Sequence, residues 1–406
     1  MISLRAEKNE IRGKIRLPAS KSIYNRILIL NALYKLDLTI KNPSITGDGI
    51  LMEQLLKSSE LTIDCGNAGT VYRFLLSYFT AIGVPKILTG ETRMLQRPIF
   101  DLVAALKNLG AKIEFLEKEG YPPVKIIPQN LKPQNIQIDG SLSSQFISSL
   151  IMIGPYLGDN FTIQIIGKQA SRPYISMTVK LMQDLGFEIH FKNNEVNISP
   201  VKTVAKSKDF EVEADYSPLI FWYQWLAYSK TGELLLEGMN NYSIQGDANL
   251  INWAGMLGIQ CGFNSEGLLL KKSEIPVLFH TEWNLADVPD LAPGIIVLLA
   301  GLKKTATFYG LESLKIKESD RTLALQTELE KCKVKFYQEK DAWHLDASAF
   351  SLTEGTIFES YNDHRIAMAL APLCTFAPIK IQSPEAVQKS YPEYWNQLKA
   401  LGVSVN

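Results

Sequence analysis

Cysteine and histidine are scarce in this sequence. Only 4 residues of each type occur in a chain of 406. The cysteines are Cys65, Cys261, Cys332 and Cys374, and they show neither C-x-x-C spacing nor a nearby histidine pair. This scatter argues against a zinc site and against a disulfide framework. We therefore expect buried free thiols, which is where cysteines of this kind usually lie.

The sequence also lacks an excess of charge and any long apolar run. The 42 Lys and Arg residues balance 42 Asp and Glu residues, which argues against a general basic surface for nucleic acid or membrane. No run approaches the ~18 apolar residues of a membrane span, and the first residues form no apolar signal region. The composition predicts a globular, cytoplasmic protein of two or three domains that binds neither nucleic acid nor membrane.

A helix-Gly-strand pattern recurs along the chain. Its copies are LKNLGAKIEF (106–115), LMQDLGFEIHF (181–191), MLGIQCGF (256–263), LKALGVSV (398–405) and the degenerate LLKSSELTI (55–63) and LEKCKVKFY (329–337). The glycine occupies the position where a helix commonly ends in a left-handed conformation. Lys333 stands at that position in one copy and fits it poorly. The pattern predicts an α/β protein of six similar units.

A polar stretch interrupts this repeat near the middle of the chain. It covers residues 192–209 and indicates a domain boundary near position 213, with three units on each side. A continuous solenoid is the alternative, but two equal halves favour two globular lobes. A cleft between two lobes is a common place for a ligand.

Nine basic residues stand near the start of predicted helices. They are Lys21, Arg26, Arg73, Arg97, Arg172, Lys317, Arg321, Arg365 and Lys389. The amino end of a helix already carries partial positive charge, so a basic side chain is unfavourable there unless an anion offsets it. We therefore expect these residues to converge on one pocket for a small polyanionic ligand.

Hydroxyls and small residues accompany the cations in the first half. Ser20 is a candidate helix cap in LPASKSIYNR, and Gly69 allows close backbone approach in CGNAGTVYR. DGSLSSQF and QASRPY offer the hydroxyls of Ser143, Ser144 and Ser171, which suit phosphate oxygens. Taken singly, each segment is also typical of an ordinary capped helix or surface loop.

Acidic residues join the cations in the second half. Asp290 precedes an apolar helix in VPDLAPG and is either a helix cap or a general base. KIKESDR places Lys317, Glu318 and Arg321 close together. YNDHRIAMAL has an Asn/Asp cap and opens a buried helix with Arg365, a basic residue that needs a partner there.

In unbroken order, these segments resemble a known family. The motifs are SKSxxNR, GNAGT, TGExRMxxRP, SSQF, SRPY, PD, KESDR, NDHR and KSYPEYW. With them the chain is similar to the enolpyruvyl transferases, and within that family to the enzymes of the shikimate pathway. The resemblance implies a two-lobed α/β fold of six βαβαββ-type units. It assigns residues 20–213 to the N-terminal lobe and residues 1–19 with 214–406 to the C-terminal lobe, with the active site in the cleft.

The resemblance also implies an activity and the residues that perform it. The enolpyruvyl group of phosphoenolpyruvate would pass to the 5-hydroxyl of shikimate 3-phosphate, without a metal or organic cofactor, in a monomer. The implied shikimate 3-phosphate site is Lys21, Ser22, Arg26, Ser143, Ser144, Gln145, Ser171, Tyr174, Asp290 and Lys317. The implied phosphoenolpyruvate site is Lys21, Gly69, Arg97, Gln145, Arg321, Arg365 and Lys389. The implied catalytic residues are Asp290, Glu318 and Lys21, with Asp290 accepting the 5-hydroxyl proton.

Two alternatives remain. The sister enzymes that act on UDP-N-acetylglucosamine usually carry a Cys, sometimes an Asp, in the loop before Arg97, and TGETRMLQ has no Cys. A non-catalytic anion-binding homologue would have no reason to retain Asp290, Glu318 and Lys21. At two positions the chain differs from the usual pattern of the shikimate enzymes. Phe74 stands where Pro or Leu is usual, and Ser313 stands where Asn is frequent.

Overall fold

Short strands and helices alternate along the chain, and the mixed α/β class predicted from the sequence is confirmed. The computed structural model describes residues 1–141, 143–167, 171–202, 209–273 and 280–406. Leu142, Gln169 and Ala170 of the predicted serine motifs lie outside the described residues, as do residues 203–208 of the predicted polar stretch.

The elements of the described residues follow one another in short segments. The strands are β1 (Ile2–Ala6), β2 (Glu10–Ile15), β3 (Thr39–Lys41), β4 (Thr62–Asp64), β5 (Lys86–Thr89), β6 (Lys112–Phe115), β7 (Val124–Ile127), β8 (Ile136–Asp139), β9 (Phe161–Ile166), β10 (Ile189–Lys192), β11 (Glu195–Ile198), β12 (Asp209–Glu211), β13 (Thr231–Glu237), β14 (Ile259–Phe263), β15 (Gly267–Lys272), β16 (Glu282–Asn284), β17 (Thr305–Tyr309), β18 (Lys335–Glu339), β19 (Ala342–Asp346), β20 (Thr356–Glu359), β21 (Ile379–Gln382) and β22 (Val403–Val405). The α-helices are α1 (Lys21–Tyr34), α2 (Gly47–Leu56), α3 (Gly69–Ala81), α4 (Thr92–Leu95), α5 (Phe100–Asn108), α6 (Ser144–Ile153), α7 (Arg172–Asp184), α8 (Leu219–Tyr228), α9 (Leu250–Trp253), α10 (Ala292–Gly301), α11 (Arg321–Glu330), α12 (His364–Leu370) and α13 (Tyr394–Ala400). Short 3-10 helices span Gly154–Leu157, Gly246–Asn249, Gly255–Leu257, Glu312–Ile316, Ala371–Thr375 and Pro384–Lys389.

The chain divides into two compact units. One, called here the amino unit, is Ala19–Val212, and the other, the carboxy unit, is Met1–Pro18 together with Glu213–Asn406. The first two strands belong to the carboxy unit because of their pairing. β1 lies between β21 and β22, and β2 pairs with β13.

One pairing pattern recurs in five of the sheets that the described residues form. Two parallel strands at one edge are followed by two antiparallel strands. In the amino unit these sheets are β4-β5-β7-β6 and β8-β9-β11-β10, and in the carboxy unit they are β2-β13-β15-β14, β16-β17-β19-β18 and β20-β21-β1-β22. The remaining sheet of the described residues is the parallel pair β12-β3 in the amino unit. Three sheets in each unit agree with the predicted sixfold repeat.

Five of the six sequence copies lead into the same kind of strand. Their strands are the antiparallel edge strands β6, β10, β14, β18 and β22. Lys333 has φ of +58°, the left-handed conformation that Gly110 and Gly402 adopt at the same place with φ of +93° and +87°. The copy from Leu55 differs, because β4 after it is the parallel edge strand of its sheet. This copy is not equivalent to the other five.

Each unit contains helices that are buried on every side. In the carboxy unit, all residues of α8 and α10 are buried, as helices without a polar face must be. α10 packs closely on α8, because a Cβ atom at Gly294 would lie 2.5 Å from the side chain of Ile220. In the amino unit, α3 and α6 are buried over nearly their whole length and pack on each other. These buried helices give each unit a closely packed core.

The cysteines are all free thiols. Cys65, Cys332 and Cys374 are buried, as predicted, while Cys261 is half-buried. Among the helices that the structure describes, none combines the length and apolarity needed to cross a membrane.

Candidate active site

Asp290 lies in the loop before α10 and faces three basic side chains. Its Oδ1 accepts a hydrogen bond from Nη1 of Arg321 at 3.0 Å and lies 3.7 Å from Nζ of Lys317. Its Oδ2 accepts from Nη2 of Arg365 at 2.9 Å, and its carbonyl oxygen accepts from Nη1 of the same arginine at 3.1 Å. The N-cap residue of α10 is Leu291. The helix-cap alternative for Asp290 is therefore wrong, and its carboxylate belongs to a charged cluster.

Asp363 fixes the position of Arg321, whose side chain is only 1% exposed. Arg321 donates from Nε to Oδ2 of Asp363 at 2.8 Å and from Nη2 to Oε2 of Glu318 at 2.9 Å. Asp363 is also the N-cap of α12, where its Oδ1 accepts from the backbone N–H of Arg365 at 3.0 Å. The cap was predicted from the sequence, whereas the pairing with Arg321 was not. One carboxylate thus holds both arginines in place.

The cluster carries a net positive charge. Its members are the cations Lys317, Arg321, Arg365 and Lys389 and the carboxylates Asp290, Glu318 and Asp363. Four positive charges and three negative charges leave a net charge of +1. Lys389 joins the cluster through Glu318, with 3.6 Å between Nζ and Oε1. Because these groups are partly or fully buried, the excess charge is poorly screened and favours an anionic ligand.

The pKa of Asp290 reflects two opposing effects. Burial raises the pKa of this carboxyl, but Arg365, Lys317 and Arg321 outweigh burial and hold the pKa well below its ordinary value. Burial also lowers the pKa of Lys317, which the charge of Asp290 opposes. Asp290 is therefore fully ionised at neutral pH while the three cations face it, and it is a weak base in this state.

Arg26 of the amino unit is a buried cation that bonds to neutral groups. Its guanidinium donates to Oγ1 of Thr178 at 2.7 Å, to the carbonyl oxygen of Ser22 at 2.7 Å and to Oγ of Ser148 at 3.1 Å. It also lies over the ring of Phe74, 5.2 Å from the centroid. Within the described part of the chain no carboxylate pairs with it. Burial lowers the pKa of Arg26 to about 10, so the charge persists at neutral pH without a counterion.

Gly69, the first residue of α3, stands directly against Arg97. A Cβ atom at position 69 would lie 2.5 to 2.6 Å from the guanidinium atoms of Arg97. Such a distance is far below van der Waals contact, so glycine is what makes room for this buried guanidinium. The arginine charge adds to the partial positive charge at the amino end of α3. Gly69 is therefore in close contact with Arg97, and the predicted approach of an anion to Gly69 stays a prediction.

The three serines predicted to bind phosphate stand at the amino ends of two helices. Ser143 is the N-cap of α6 and accepts from the N–H of Gln145 at 3.3 Å, while Ser144 is the first residue of α6. Ser171 occupies the N-cap position of α7 with φ of +58°, which is uncommon for serine. Backbone N–H groups and hydroxyls at helix amino ends are natural ligands of phosphate.

Further polar contacts connect the predicted residues of the amino unit. Oε1 of Gln145 accepts from Nη1 of Arg73 at 2.6 Å, and Nε2 of Gln145 donates to Oγ1 of Thr70 at 2.8 Å. The carbonyl oxygen of Tyr174 accepts from the hydroxyl of Thr178 at 2.8 Å. Gln145 is therefore held in one orientation next to a basic side chain.

Lys21, the first residue of α1, pairs with Asp48. The distance between Nζ and Oδ2 is 3.2 Å, and the two side chains are 13% and 8% exposed. The sequence analysis did not identify Asp48 as a partner of Lys21. Locally, Asp48 is only an acidic residue in the first turn of α2. Ser20 lies at the N-cap position of α1 but makes no side-chain capping bond. The predicted Ser20 cap is therefore wrong.

The nine predicted cations fall into two sets. Lys21, Arg26, Arg73, Arg97 and Arg172 belong to the amino unit, and Lys317, Arg321, Arg365 and Lys389 belong to the carboxy unit. Arg172 is exposed, lies 4.9 Å from the ring centroid of Phe191 and donates to Asn194 at 3.4 Å. Its described contacts are those of a surface side chain.

Replacing Asp363 by alanine should destabilise the carboxy unit strongly. The change leaves the buried guanidinium of Arg321 without its main counterion, which typically costs about 3 to 5 kcal/mol. The matched control is Asp320→Ala, since Asp320 is also an N-cap that accepts one backbone N–H and its loss should cost about 1 kcal/mol. Urea denaturation followed by circular dichroism measures both. Equal losses in the two variants would contradict the importance of the pairing with Arg321.

Comparisons with known proteins show the family to which this chain is related. The family model of EPSP synthase (3-phosphoshikimate 1-carboxyvinyltransferase) matches residues 51–398. A 3-phosphoshikimate 1-carboxyvinyltransferase of Bacteroides fragilis is 38% identical over 404 residues, covering 98% of this chain and 97% of that protein. One from Aliivibrio fischeri is 32% identical over 424 residues and covers 97% of both chains.

Solved structures show the same fold. An EPSP synthase from Acinetobacter baumannii superposes with a TM-score of 0.76 at 17% identity, covering 100% of this chain and 99% of that one. The enolpyruvyl transferase NikO from Streptomyces tendae also gives a TM-score of 0.76, at 12% identity, covering 100% of this chain and 98% of that one. The match of the family model and the full-length similarity to the curated relatives show that the chain belongs to the EPSP synthase family.

Proposed function

We propose that this protein transfers the enolpyruvyl group of phosphoenolpyruvate to the 5-hydroxyl of shikimate 3-phosphate and releases phosphate, a step of aromatic amino acid biosynthesis. The family assignment supports this reaction. The structural observation that carries it is the cluster of three cations on Asp290. Each substrate bears a phosphate and a carboxylate, so the enzyme must offset several negative charges with directed donors.

The amino unit supplies most contacts to shikimate 3-phosphate in this proposal. Ser143, Ser144 and Ser171 bind its phosphate, Ser22 and Arg26 bind its carboxylate, and Lys21, Gln145 and Tyr174 lie alongside. The uncompensated charge of Arg26 supports this role, because a substrate carboxylate would provide the counterion that the fold does not.

Phosphoenolpyruvate binds a second set of residues, which includes cations of both units. Lys21, Gly69, Arg97, Gln145 and Lys389 bind its phosphate, and Arg321 and Arg365 bind its carboxylate. The small residue at Gly69 supports the phosphate contact, since it lets the guanidinium of Arg97 and the amino end of α3 act together.

Binding of this carboxylate would activate Asp290. Arg321 and Arg365 now donate to Asp290, and a ligand carboxylate competes for the same donors. Each donor that turns to the ligand weakens the effect that holds the pKa of Asp290 low, while the effect of burial remains. The proton affinity of Asp290 therefore rises when phosphoenolpyruvate is in place, which makes Asp290 a base only in the loaded site.

The chemistry then follows as addition and elimination. Asp290 accepts the proton of the 5-hydroxyl group as the hydroxyl oxygen attacks C2 of phosphoenolpyruvate. Lys317 lies next to that hydroxyl oxygen. Glu318 and Lys21 serve proton transfer at the methylene carbon, which becomes a methyl group in a tetrahedral intermediate. Loss of a proton from that methyl group and departure of phosphate restore the double bond. Positioned acids, bases and cations perform these steps.

The acceptor can be identified by phosphate release. With phosphoenolpyruvate present, we expect steady release with shikimate 3-phosphate and none above background with UDP-N-acetylglucosamine. A coupled colorimetric phosphate assay measures both. Release with the nucleotide sugar alone would assign the protein to the sister activity, and no release with either acceptor would favour the non-catalytic alternative.

Asp290→Asn should reduce kcat by about 10²- to 10⁴-fold, the usual contribution of a general base. The KM for phosphoenolpyruvate should not rise, because removing the negative charge leaves Arg321 and Arg365 available to the ligand. Asp287→Asn is the matched control, since Asp287 is an exposed aspartate of the same loop and should keep its turnover. Unchanged kcat in Asp290→Asn would remove Asp290 from the mechanism.

Gly69→Ala should weaken phosphoenolpyruvate binding without unfolding the protein. The new Cβ atom displaces the guanidinium of Arg97, and a shift of about 1 Å in a binding group can reduce efficiency by up to about 100-fold. We expect KM to rise by about 10-fold or more. Gly255→Ala is the control, because nothing lies within 4 Å of a Cβ atom there. An unaltered KM in Gly69→Ala would contradict the phosphate contact.

A monomeric state and a cytoplasmic location, both expected from the sequence, stay part of this proposal. Size-exclusion chromatography with light scattering measures the first of them directly.

A further inference from the structure

Asp247 is a buried carboxyl of the carboxy unit that the proposed reaction does not use. It lies in the 3-10 helix Gly246–Asn249 and is 2% exposed. Its Oδ2 accepts a hydrogen bond from Oγ of Ser217 at 2.5 Å. Among the described residues, no donor reaches its Oδ1. An ionised carboxylate in such a place is costly, because half of its hydrogen-bonding capacity is unmet.

Asp247 is held firmly in this position. The backbone N–H of Ser217 donates to Oδ1 of Asp215 at 2.9 Å, and the N–H of Asp215 donates to the carbonyl oxygen of Pro18 at 2.8 Å. These bonds fix the segment that carries the serine hydroxyl. The Asp247 carboxyl therefore has a fixed partner at Oδ2.

Charged groups of the proposed active site act on this carboxyl. Asp290 and Arg365 of that site interact electrostatically with Asp247, as does Asp215 outside it. Burial raises the pKa of Asp247 to about 7, and the charge of Asp290 adds to the effect, while Arg365 and the Ser217 hydroxyl oppose it. The surroundings therefore shift the two carboxyls in opposite directions, because the pKa of Asp290 lies below its ordinary value and the pKa of Asp247 lies above it.

We propose that Asp247 is a positioning residue whose ionisation state controls how strongly Arg365 binds the carboxylate of phosphoenolpyruvate. Uncharged Asp247 adds no negative charge near Arg365, which donates to Asp290, and a ligand carboxylate can take over donors from Asp290. Ionised Asp247 adds a second negative charge that attracts Arg365 and repels the ligand. This inference rests on the proposed function, because it assigns the ligand carboxylate to Arg365.

The charge balance of the cluster supports the proposal. Four cations and three carboxylates leave +1 when Asp247 is uncharged. Ionisation of Asp247 adds one negative charge and leaves zero. The attraction for an anion at this site is therefore greatest below the pKa of Asp247 and falls as the pH rises through it.

The test compares the pH dependence of KM for phosphoenolpyruvate in the wild type and in Asp247→Asn. Asparagine is isosteric with the uncharged carboxyl and keeps an acceptor for Ser217. In the wild type we expect KM to rise between pH 6 and pH 8.5 by about 5-fold or more, the lower end of usual coupling between two sites. The ratio of the two KM values is the readout, because titration of the substrate phosphate affects both proteins equally.

Ser217→Ala supplies a second variant with an opposite signature. Loss of the hydroxyl removes a bond that favours the ionised carboxylate, so the rise in KM should move to higher pH. In Asp247→Asn the rise should disappear and KM should stay near the low-pH value of the wild type. A purely structural role would change KM by the same factor at every pH. A wild-type pH profile in Asp247→Asn, or an unmoved midpoint in Ser217→Ala, would overturn the proposal.

Thermal denaturation tests the ionisation itself, apart from any ligand. A carboxyl whose pKa is raised by folding makes the wild type lose stability as the pH increases from its unfolded value to about 7. The difference in Tm between Asp247→Asn and the wild type should therefore grow from pH 4 to pH 7 and then level off. A constant difference would also overturn the proposal.

Failure of the proposed function has a different signature. If the wild type releases no phosphate at any pH, the reaction assigned above is wrong. Calorimetric titration with phosphoenolpyruvate then replaces the KM measurement, with the same predicted loss of affinity through pH 7 in the wild type and none in Asp247→Asn. Binding that is equally pH-dependent in both proteins would refute the role of Asp247 alone.

Discussion

The charged cluster depends on one constraint, which is that a carboxylate and an anionic ligand cannot hold the same donors at once. Asp290 takes donors from Arg321 and Arg365 in the structure described here. Any ligand carboxylate that binds these arginines must take donors from Asp290. In the proposed reaction, ligand binding and the proton affinity of Asp290 would therefore be linked, and the same contacts that hold the ligand would convert Asp290 into a base.

Two buried arginines show how differently the fold can stabilise a cation. Arg321 is surrounded by Asp363, Glu318 and Asp290, and these charges raise its pKa even though burial opposes them. Arg26 has hydroxyls, carbonyl oxygens and the ring of Phe74, and burial lowers its pKa. The first arrangement is electrostatically satisfied within the chain. The second arrangement leaves the positive charge of Arg26 unbalanced. Arg26 therefore attracts an anion even though its side chain is buried.

The sequence predicts local features well and long-range pairing poorly. The left-handed residue at Lys333 was located by the spacing of the repeat, because helix termination is a local event. The prediction for the copy at Leu55 was wrong. A helix, a polar turn and a strand give the same sequence pattern whether the strand becomes the parallel or the antiparallel edge of its sheet. The basic members of the site stand in recognisable segments. Their acidic partners Asp48 and Asp363 are paired with these cations only through tertiary contacts.

The acidic residues of the carboxy unit illustrate why charge counts along the sequence say little about a site. Asp290, Asp363 and Asp247 are the same residue type in the same fold, yet their surroundings differ. Asp363 neutralises a buried guanidinium, Asp290 accepts hydrogen bonds from two arginines, and Asp247 has too few donors to ionise freely. A carboxyl that stays protonated adds no negative charge, and the positive excess that selects an anion therefore depends on how many donors the fold provides to each aspartate.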